Sequence, residues 1–224
     1  IKGRASFGSS RRAIITGSSE FDSVEFDHAI IATGSRPASI PLFDVGSDRV
    51  LNSTTALALK DVPKSMLVVG GGYIGLELGL VYAELGSKVT VVEMTEGLLP
   101  GADRDLVTPL QKRLSRIFQD IHLNTAVRKV EAGIDEVTVA LDGDSGLFEQ
   151  SYQKILVSIG RRPNSETLGL ENTGVVVDER GFIEADHQQR TADERIFAIG
   201  DVIGGGLAHT ATHQGKIAAE VLSG

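Results

Sequence analysis

Residues 66–93 read MLVVGGGYIGLELGLVYAELGSKVTVVE, and this stretch decides the fold class. The apolar run 66–69 predicts a buried strand, and residues 73–85 have helical character and end before a glycine. Residues 88–92 are mostly β-branched and predict a second strand. A strand, a glycine-rich turn, a helix and another strand form a βαβ unit, which predicts an α/β protein with a parallel sheet.

Three glycines between the first strand and the helix indicate what the turn binds. Gly70, Gly72 and Gly75 have the spacing G-x-G-x-x-G. The first permits a tight turn, the second has no Cβ to block a pyrophosphate, and the third lets helix and strand pack closely. The positive end of the helix dipole also favours a doubly charged group. A glycine-rich turn without a ligand is the alternative, but the flanking elements favour dinucleotide binding.

Glu93, at the end of the second strand, indicates which dinucleotide. It follows Gly70 by 93 − 70 = 23 residues, close to the offset of about 20 for the acid that binds the adenine ribose. A carboxylate there accepts hydrogen bonds from both ribose hydroxyls and repels a 2′-phosphate. Met94, Thr95 and Glu96 supply no basic group for such a phosphate. The sequence therefore predicts NAD rather than NADP; a solvated acid at a strand end is the alternative.

Composition excludes several classes of function. The 224 residues suit one large domain or two small ones, and 41% hydrophobic content indicates a soluble globular protein. No apolar stretch approaches the ~20 residues of a membrane span, and the net charge of −8 disfavours nucleic acid as a partner. The chain has no cysteine, which excludes disulfides, thiolate nucleophiles and Cys-ligated zinc. No apolar signal core begins the chain, so we expect a cytoplasmic location.

The rest of the chain predicts further strands and helices. A helix before residue 118 has two possible starts: Asp103 caps it and Pro109 interrupts it, or Thr108 caps it and Pro109 takes its first position. A helix capped by Asn52 or Ser53 reaches residue 60, and a final helix covers 207–222. Strands are predicted at 13–16, 26–32, 121–124, 127–130, 137–141, 147–159, 175–177, 182–183 and 195–199, those from 127 to 159 being antiparallel.

Four motifs in combination resemble the pyridine-nucleotide flavin-disulfide oxidoreductases. They are IATGSRP at 31–37, the glycine turn with Glu93, SIGRRPN at 158–164, and Thr191 followed by FAIGD at 197–201. The stretches LLPGADRD at 98–105 and AHTATHQGKIAAE at 208–220 are similar to the branch of that family that oxidises dihydrolipoyl groups.

The resemblance implies a Rossmann-like, three-layer FAD/NAD(P)-binding fold with an antiparallel β-meander. In such a fold an NAD domain is inserted in a discontinuous FAD domain. Residues 1–51 would be the end of the first FAD segment, 52–160 the NAD domain and 161–224 the returning FAD segment. With one glycine turn and no cysteine, the FAD domain would be incomplete. We therefore expect a fragment that has no catalytic residue and no activity by itself.

The same resemblance assigns roles at an NAD site and an FAD site. Tyr73 would cover the flavin until nicotinamide arrives, and Glu77, one helical turn further, would bind the carboxamide. Asp201 would bind a ribitol hydroxyl of FAD. The NAD set is Gly70, Gly72, Tyr73, Ile74, Gly75, Glu77, Glu93 and Gly160, and the FAD set is Thr33, Gly34, Asp201, Ala208 and His209.

These assignments have plainer alternatives. Tyr73 could pack in the core, Glu77 could be a solvated helix acid, and Asp201 could simply terminate a strand. His209 and His213 share a helix face at i, i+4, but no third ligand is evident, so no metal site is predicted.

The implied activity is NAD-dependent oxidation of a dithiol. Electrons would pass from the dihydrolipoyl domain of a 2-oxoacid dehydrogenase complex through a disulfide and FAD to NAD. The parent would be a homodimer, with neither nucleic acid nor membrane as partner. The alternatives are a fragment of a mercuric or glutathione-type reductase, a flavin reductase that uses NADH without a disulfide, or a free-standing nucleotide-binding or sensor module.

Overall fold

A computed structural model describes residues 1–224, which form two compact units. The first unit contains residues 1–36 and 161–224, and the second contains 37–160. The second unit is therefore inserted in the first along the chain. It begins at 37 rather than at the predicted 52, because Phe43 belongs to its core and Val50–Asn52 is a strand of its sheet.

The chain contains fifteen strands and four α-helices. The strands are β1 (Arg4–Ser9), β2 (Arg12–Thr16), β3 (Ser23–Glu25), β4 (Ala29–Ile31), β5 (Ser35–Pro37), β6 (Val50–Asn52), β7 (Ser65–Val69), β8 (Lys88–Val92), β9 (Asp120–His122), β10 (Ala126–Ala132), β11 (Val137–Gly143), β12 (Gly146–Tyr152), β13 (Lys154–Val157), β14 (Arg161–Pro163) and β15 (Ile196–Ala198). The helices are α1 (Ser53–Leu57), α2 (Tyr73–Glu84), α3 (Arg104–Ile117) and α4 (Ala208–Ser223). None of these helices is both long enough and apolar enough to span a membrane.

The second unit is built on a five-stranded parallel sheet. Its strand order is β6-β13-β7-β8-β9, and β10, β11 and β12 form a separate antiparallel meander. Along β7, Met66 and Val68 belong to a core shared with the helices, whereas Leu67 and Val69 belong to a core shared with the meander. Because side chains alternate along a strand, helices and meander cover opposite faces of the sheet. The predicted three-layer α/β fold is thereby confirmed.

The starts of α1 and α3 agree with predicted positions, but only α1 has a side-chain cap. Asn52 caps α1 through a reciprocal capping box with Thr55, and the helix ends at residue 57 rather than at the predicted 60. Asp103 takes the N-cap position of α3 but makes no side-chain capping hydrogen bond, and Pro109 lies inside the helix. The first of the two predicted starts is therefore the observed one, and Pro109 costs the helix one backbone hydrogen bond.

Five predicted strands differ from the structure. Residues 175–177 and 182–183 are not strands, because they form only an isolated antiparallel bridge between Val177 and Ile183. The single strand 147–159 is two strands, because the chain leaves the meander at Gln153 and continues as β13 between β6 and β7. Gln153 binds the start of β7: its backbone N–H donates to Ser65 Oγ at 3.1 Å, and its Oε1 accepts from Lys64 N at 2.6 Å. The strand 26–32 is reduced to β4, and 121–124 is shifted to β9.

The first unit contains smaller sheets around a smaller core. β1, β2 and β3 form an antiparallel meander, β4 pairs in parallel with β15, and β5 pairs with β14. Its core contains Ile31, Leu170, Ile183, Ile196, Ala198 and Val202. An open cavity of about 720 Å³ lies beside β4, and its lining includes Ile30, Thr33, Arg36 and Asn164.

Candidate functional site

The glycine turn lies at the carboxyl end of β7, at the point where the strand order reverses. From β7 the chain continues through α2 to β8 on one side, whereas β13 lies on the other side. In open α/β sheets, ligands bind in the crevice at such a point. Gly160, which follows β13, has a φ of 129° and is exposed. The predicted NAD residues of the turn and Gly160 thus follow adjacent parallel strands.

The three glycines differ in what surrounds them. A Cβ on Gly70 would lie 2.5 Å from Ser158 O, and one on Gly75 would lie 2.4 Å from both Gly70 O and Ser158 Oγ. A Cβ on Gly72 would meet no atom within 4 Å. The fold itself therefore requires glycine at 70 and 75, whereas the space above Gly72 is open and fits a group bound from outside, as a pyrophosphate would be.

Helix α2 begins at this open space. Gly72 is its N-cap and supplies no side-chain cap, and Leu76 N donates to Gly72 O at 3.0 Å in the first helical turn. The first N–H groups of a helix lack partners inside the helix, and the dipole adds partial positive charge there. The start of α2 therefore suits an anionic ligand.

Glu93 is a buried acid with three protein donors. Only 8% of the residue is exposed. Its Oε2 accepts from Gly71 N at 2.6 Å, and its Oε1 accepts from Thr95 N at 2.8 Å and from Thr95 Oγ1 at 2.9 Å. The alternative of a solvated acid therefore does not hold. An ionised carboxylate has about four acceptor positions, so only one is free for a ribose hydroxyl.

Acceptance of both ribose hydroxyls requires a rearrangement, which the structure permits at Thr95. Its hydroxyl also lies 3.0 Å from Gly97 O. Because a hydroxyl has a single proton, it donates to either Glu93 or Gly97 at one time. A turn of this hydroxyl toward Gly97 releases the second acceptor position.

The remaining predicted NAD residues lie on the first turns of α2. Tyr73 is 42% exposed, so core packing does not account for it. Glu77 is also exposed and shares a helix face with Tyr73 at i, i+4, and Ile74 is half-buried. Their predicted contacts with nicotinamide stay predictions.

The segment 98–104 packs against the glycine turn, and the sequence did not predict this contact. Leu99 N donates to Gly71 O at 2.8 Å, and Leu98 is fully buried. The guanidinium of Arg104 donates to the carbonyls of Leu98 at 2.9 Å, Leu99 at 2.7 Å and Ala102 at 2.7 Å. Gly71 is thus bound through both its N–H and its C=O. The motif LLPGADRD contains these residues, but only the fold brings them to the turn.

In the first unit, Asp201 belongs to a charged network. Its Oδ2 accepts from Ser35 Oγ at 2.5 Å and lies 3.6 Å from Arg161 Nε. Arg161 also donates to Ser35 Oγ at 2.6 Å and to Ser35 O at 2.7 Å. Asp201 therefore does more than terminate a strand. Ser35 and Arg161 belong to quoted motifs, but no sequence pattern assigned them this contact.

The other FAD candidates lie in two places of the same unit. Thr33 Oγ1 donates to Asn164 O at 2.9 Å, and Asn164 returns two bonds, from Nδ2 to Thr33 O and from N to Gly34 O, each 2.9 Å long. Thr33 also lines the cavity beside β4. Ala208 and His209 are exposed at the start of α4, which has no side-chain cap.

These groups fit parts of a flavin nucleotide. They supply a carboxylate for a hydroxyl, a cavity, and a helix N-terminus for partial negative charge. No three His, Asp or Glu side chains lie close enough together to bind a metal ion.

Comparisons with known proteins agree with this geometry. Residues 6–215 match the pyridine nucleotide-disulphide oxidoreductase family. The chain is 44% identical over 226 residues to a dihydrolipoyl dehydrogenase of Vibrio parahaemolyticus, covering 100% of this chain and 47% of that protein. It is 48% identical over 203 residues to the enzyme of Vibrio cholerae, covering 90% and 42%.

Solved structures show the same likeness. The HOCl-induced flavoprotein disulfide reductase RclA from Escherichia coli superposes with a TM-score of 0.87 at 29% identity, over 99% of this chain and 50% of that chain. LpdA from Mycobacterium tuberculosis gives a TM-score of 0.88 at 28% identity, over 100% and 50%. The chain spans about half the length of the relatives it matches. On its sequence and its fold, it belongs to the pyridine nucleotide-disulphide oxidoreductases.

Proposed function

We propose that the second unit binds NAD(H). The observation that carries this proposal is the open space above Gly72 at the start of α2, beside the buried carboxylate of Glu93. The helix start would hold the pyrophosphate, and Glu93 would accept the adenine-ribose hydroxyls. A 2′-phosphate would meet a buried negative charge, so NAD(H) is the expected ligand rather than NADP(H).

The residues further along α2 would orient the nicotinamide end. Glu77 follows Tyr73 by one helical turn, and both side chains are exposed. Glu77 would accept a hydrogen bond from the carboxamide, and Tyr73 would exclude water from the flavin face until nicotinamide displaces it. Gly160, Ile74 and the three glycines of the motif would form the rest of this site.

For the whole protein we propose the activity of a dihydrolipoyl dehydrogenase. Its support is that the Vibrio relatives carry this name and that LLPGADRD and the α4 sequence are similar to that branch. FAD and NAD would supply the hydride chemistry, and the protein would supply binding and orientation. The substrate would be the dihydrolipoyl domain of a 2-oxoacid dehydrogenase complex, and the whole enzyme would be a homodimer.

In this proposal the first unit carries part of the FAD site. Residues 1–36 and 161–224 would be the FAD segments, and 37–160 the NAD domain. Asp201 would accept a hydrogen bond from a ribitol hydroxyl, and Thr33 with Gly34 would approach the adenosine. The backbone at Ala208 and His209 would lie near the pyrimidine edge of the flavin, where N–H groups stabilise negative charge.

Titration of the isotope-labelled chain with NADH, followed by amide chemical shifts, tests the NAD site. We expect the largest changes at residues 70–77, 93–97 and 160. Absence of binding, or changes confined to the first unit, would contradict the proposal. A parallel titration with FAD is expected to move the amides of Thr33, Gly34 and Asp201 instead.

A further inference from the structure

Glu93 makes a contact that ribose recognition does not explain. Its Oε2 accepts the N–H of Gly71 at 2.6 Å, between residues 22 apart in the chain and within the buried interior. Gly71 is the central glycine of the turn and precedes Gly72, the residue with open space above it. We propose that Glu93 is also a positioning residue, whose carboxylate, held by Thr95, fixes the Gly71 peptide and so aligns the turn for pyrophosphate.

The orientation of the Gly71 peptide supports this role. Its N–H is donated to Glu93, and its C=O accepts from Leu99 N at 2.8 Å. The N–H belongs to the peptide that joins Gly70 to Gly71, and the C=O belongs to the peptide that joins Gly71 to Gly72. Because both groups are bound on the protein side, the two peptide planes that flank Gly71 are fixed, and the second of them includes the nitrogen of the N-cap residue Gly72. Hydrogen bonds to a charged acceptor are among the stronger ones in proteins. Loss of the carboxylate would therefore loosen the turn even when no ribose is present.

Thr95 binds the other oxygen of the Glu93 carboxylate, Oε1. Both donors to Oε1 come from this residue, the N–H at 2.8 Å and the hydroxyl at 2.9 Å. Thr95→Val keeps the N–H and the branched shape but removes the hydroxyl, whereas Thr95→Ser keeps the hydroxyl. A glutamine at 93 has an NH2 group in place of one oxygen, so it faces the N–H of either Gly71 or Thr95 with a donor instead of an acceptor.

This inference rests on the proposed binding of NAD(H), and the choice of probes separates the two. ADP carries a diphosphate and both ribose hydroxyls, whereas 2′,3′-dideoxy-ADP carries the diphosphate without them. If Glu93 only binds ribose, its substitution weakens binding of ADP and leaves binding of 2′,3′-dideoxy-ADP unchanged. If Glu93 also shapes the turn, its substitution weakens binding of both ligands.

The experiment measures both dissociation constants by amide chemical-shift titration, together with the hydrogen-exchange rate of the Gly71 amide in the ligand-free protein. The variants are Glu93→Gln, Thr95→Val and Thr95→Ser. Glu96→Gln is the matched control, because it removes the same charge at an exposed position nearby. Thr95→Val also keeps the test decisive if Glu93→Gln does not fold.

For Glu93→Gln we expect binding of 2′,3′-dideoxy-ADP to weaken about three- to tenfold, binding of ADP to weaken more, and exchange at Gly71 to accelerate. Thr95→Val should weaken binding of 2′,3′-dideoxy-ADP and accelerate exchange at Gly71 by less than Glu93→Gln does, and Thr95→Ser and Glu96→Gln should match the unmodified protein. Unchanged or tighter binding of 2′,3′-dideoxy-ADP by Glu93→Gln overturns the inference, whatever the exchange rate. If the unmodified chain binds neither nucleotide, the proposed function fails, and exchange at Gly71 alone decides whether Glu93 shapes the turn.

Discussion

The two units differ in how completely they cover their parallel strands. In the second unit, Val68 and Leu156 are fully buried in a five-stranded sheet covered on both faces. In the first unit, the parallel strands are one pair, and Ile30 of β4 is 41% exposed beside a cavity of about 720 Å³. Parallel sheets are normally buried on both faces. The predicted NAD-binding residues therefore lie on a parallel sheet that is buried on both faces, whereas the predicted FAD-binding residues lie on a pair of parallel strands that is partly exposed.

The substitution with the largest expected effect on the proposed NAD site of the second unit is Gly72→Val. A Cβ at 72 meets no protein atom within 4 Å, so the fold should survive, but the side chain would occupy the proposed pyrophosphate position. We expect NADH binding to fall by more than about 100-fold, the loss of several charged contacts. Calorimetry measures the binding, and circular dichroism measures the fold.

Gly75→Ala, at the other end of the motif, is the matched control, because its expected effect is on the stability of the fold. Its Cβ would lie 2.4 Å from Gly70 O and Ser158 Oγ. We expect a loss of about 1–3 kcal/mol in the free energy of unfolding, as for other overpacked sites. A Gly72→Val protein that binds NADH normally would show that the turn is not the site.

A second prediction concerns Glu93→Ala. Removal of a charged acceptor costs about 1.5–3 kcal/mol, so NADH binding should weaken by about ten- to 100-fold, and the preference for NADH over NADPH should narrow. Calorimetric titrations with both nucleotides measure the change. Glu96→Gln, an exposed acid of the same segment, should leave the preference intact; an equal effect there would indicate general charge rather than a specific contact.

A third prediction compares the stability of the two units directly. Backbone amides in β7, β8 and β13 should exchange with solvent on the order of tenfold or more slowly than those in β4 and β15, because buried strands open only with their whole core. Amide hydrogen exchange followed by mass spectrometry gives both rates in one sample. Equal exchange rates in the two sets of strands would show that the two units do not differ in the stability of their parallel strands.

The smallest expected effect is the pH dependence of the first unit. Burial raises the pKa of Asp193, but bonds from the Ser10 hydroxyl and from the N–H groups of Gly174 and Arg195 outweigh it and hold the pKa below its ordinary value. A lowered pKa in the folded state stabilises the fold above the ordinary aspartate pKa of about 3.9, and this stabilisation is lost as the pH falls through the folded value.

We therefore expect Asp193→Asn to lower the free energy of unfolding by about 1.5 kcal/mol at pH 7 and by less at pH 3. Urea unfolding at the two pH values measures the difference. Ser10→Ala, which removes one of the three donors, should show the same trend at a smaller size. A deficit that is independent of pH would mean that the charge of Asp193 contributes nothing.

Much of the second unit could be predicted because its signals are local. The run 66–93 contains a buried strand, a glycine turn, a helix and a strand in sequence, and the structure has them at Ser65–Val69, Tyr73–Glu84 and Lys88–Val92. The break at Gln153 was missed, because residues 147–159 contain no Gly, Pro, Asn or Asp to mark a turn between the antiparallel strand and the parallel strand that follows it directly.

The contacts that complete the candidate sites could not be predicted because they join distant residues. Ser35 and Asp201 are 166 residues apart, and Glu93 and Gly71 are 22 apart. Both separations are too long for the periodicity of a single helix or strand to predict the contact. The sequence predicted that Glu93 accepts hydrogen bonds from both ribose hydroxyls but gave no sign of the three protein donors that bond to its carboxylate.

Calorimetric titration of the unmodified chain with NADH and with NADPH tests the central claim most directly. The open space above Gly72 and the buried carboxylate of Glu93 predict that NADH binds, and that it binds at least about tenfold more tightly than NADPH. Binding of neither nucleotide, or equal or tighter binding of NADPH, would contradict the assignment of the second unit as an NAD(H) site.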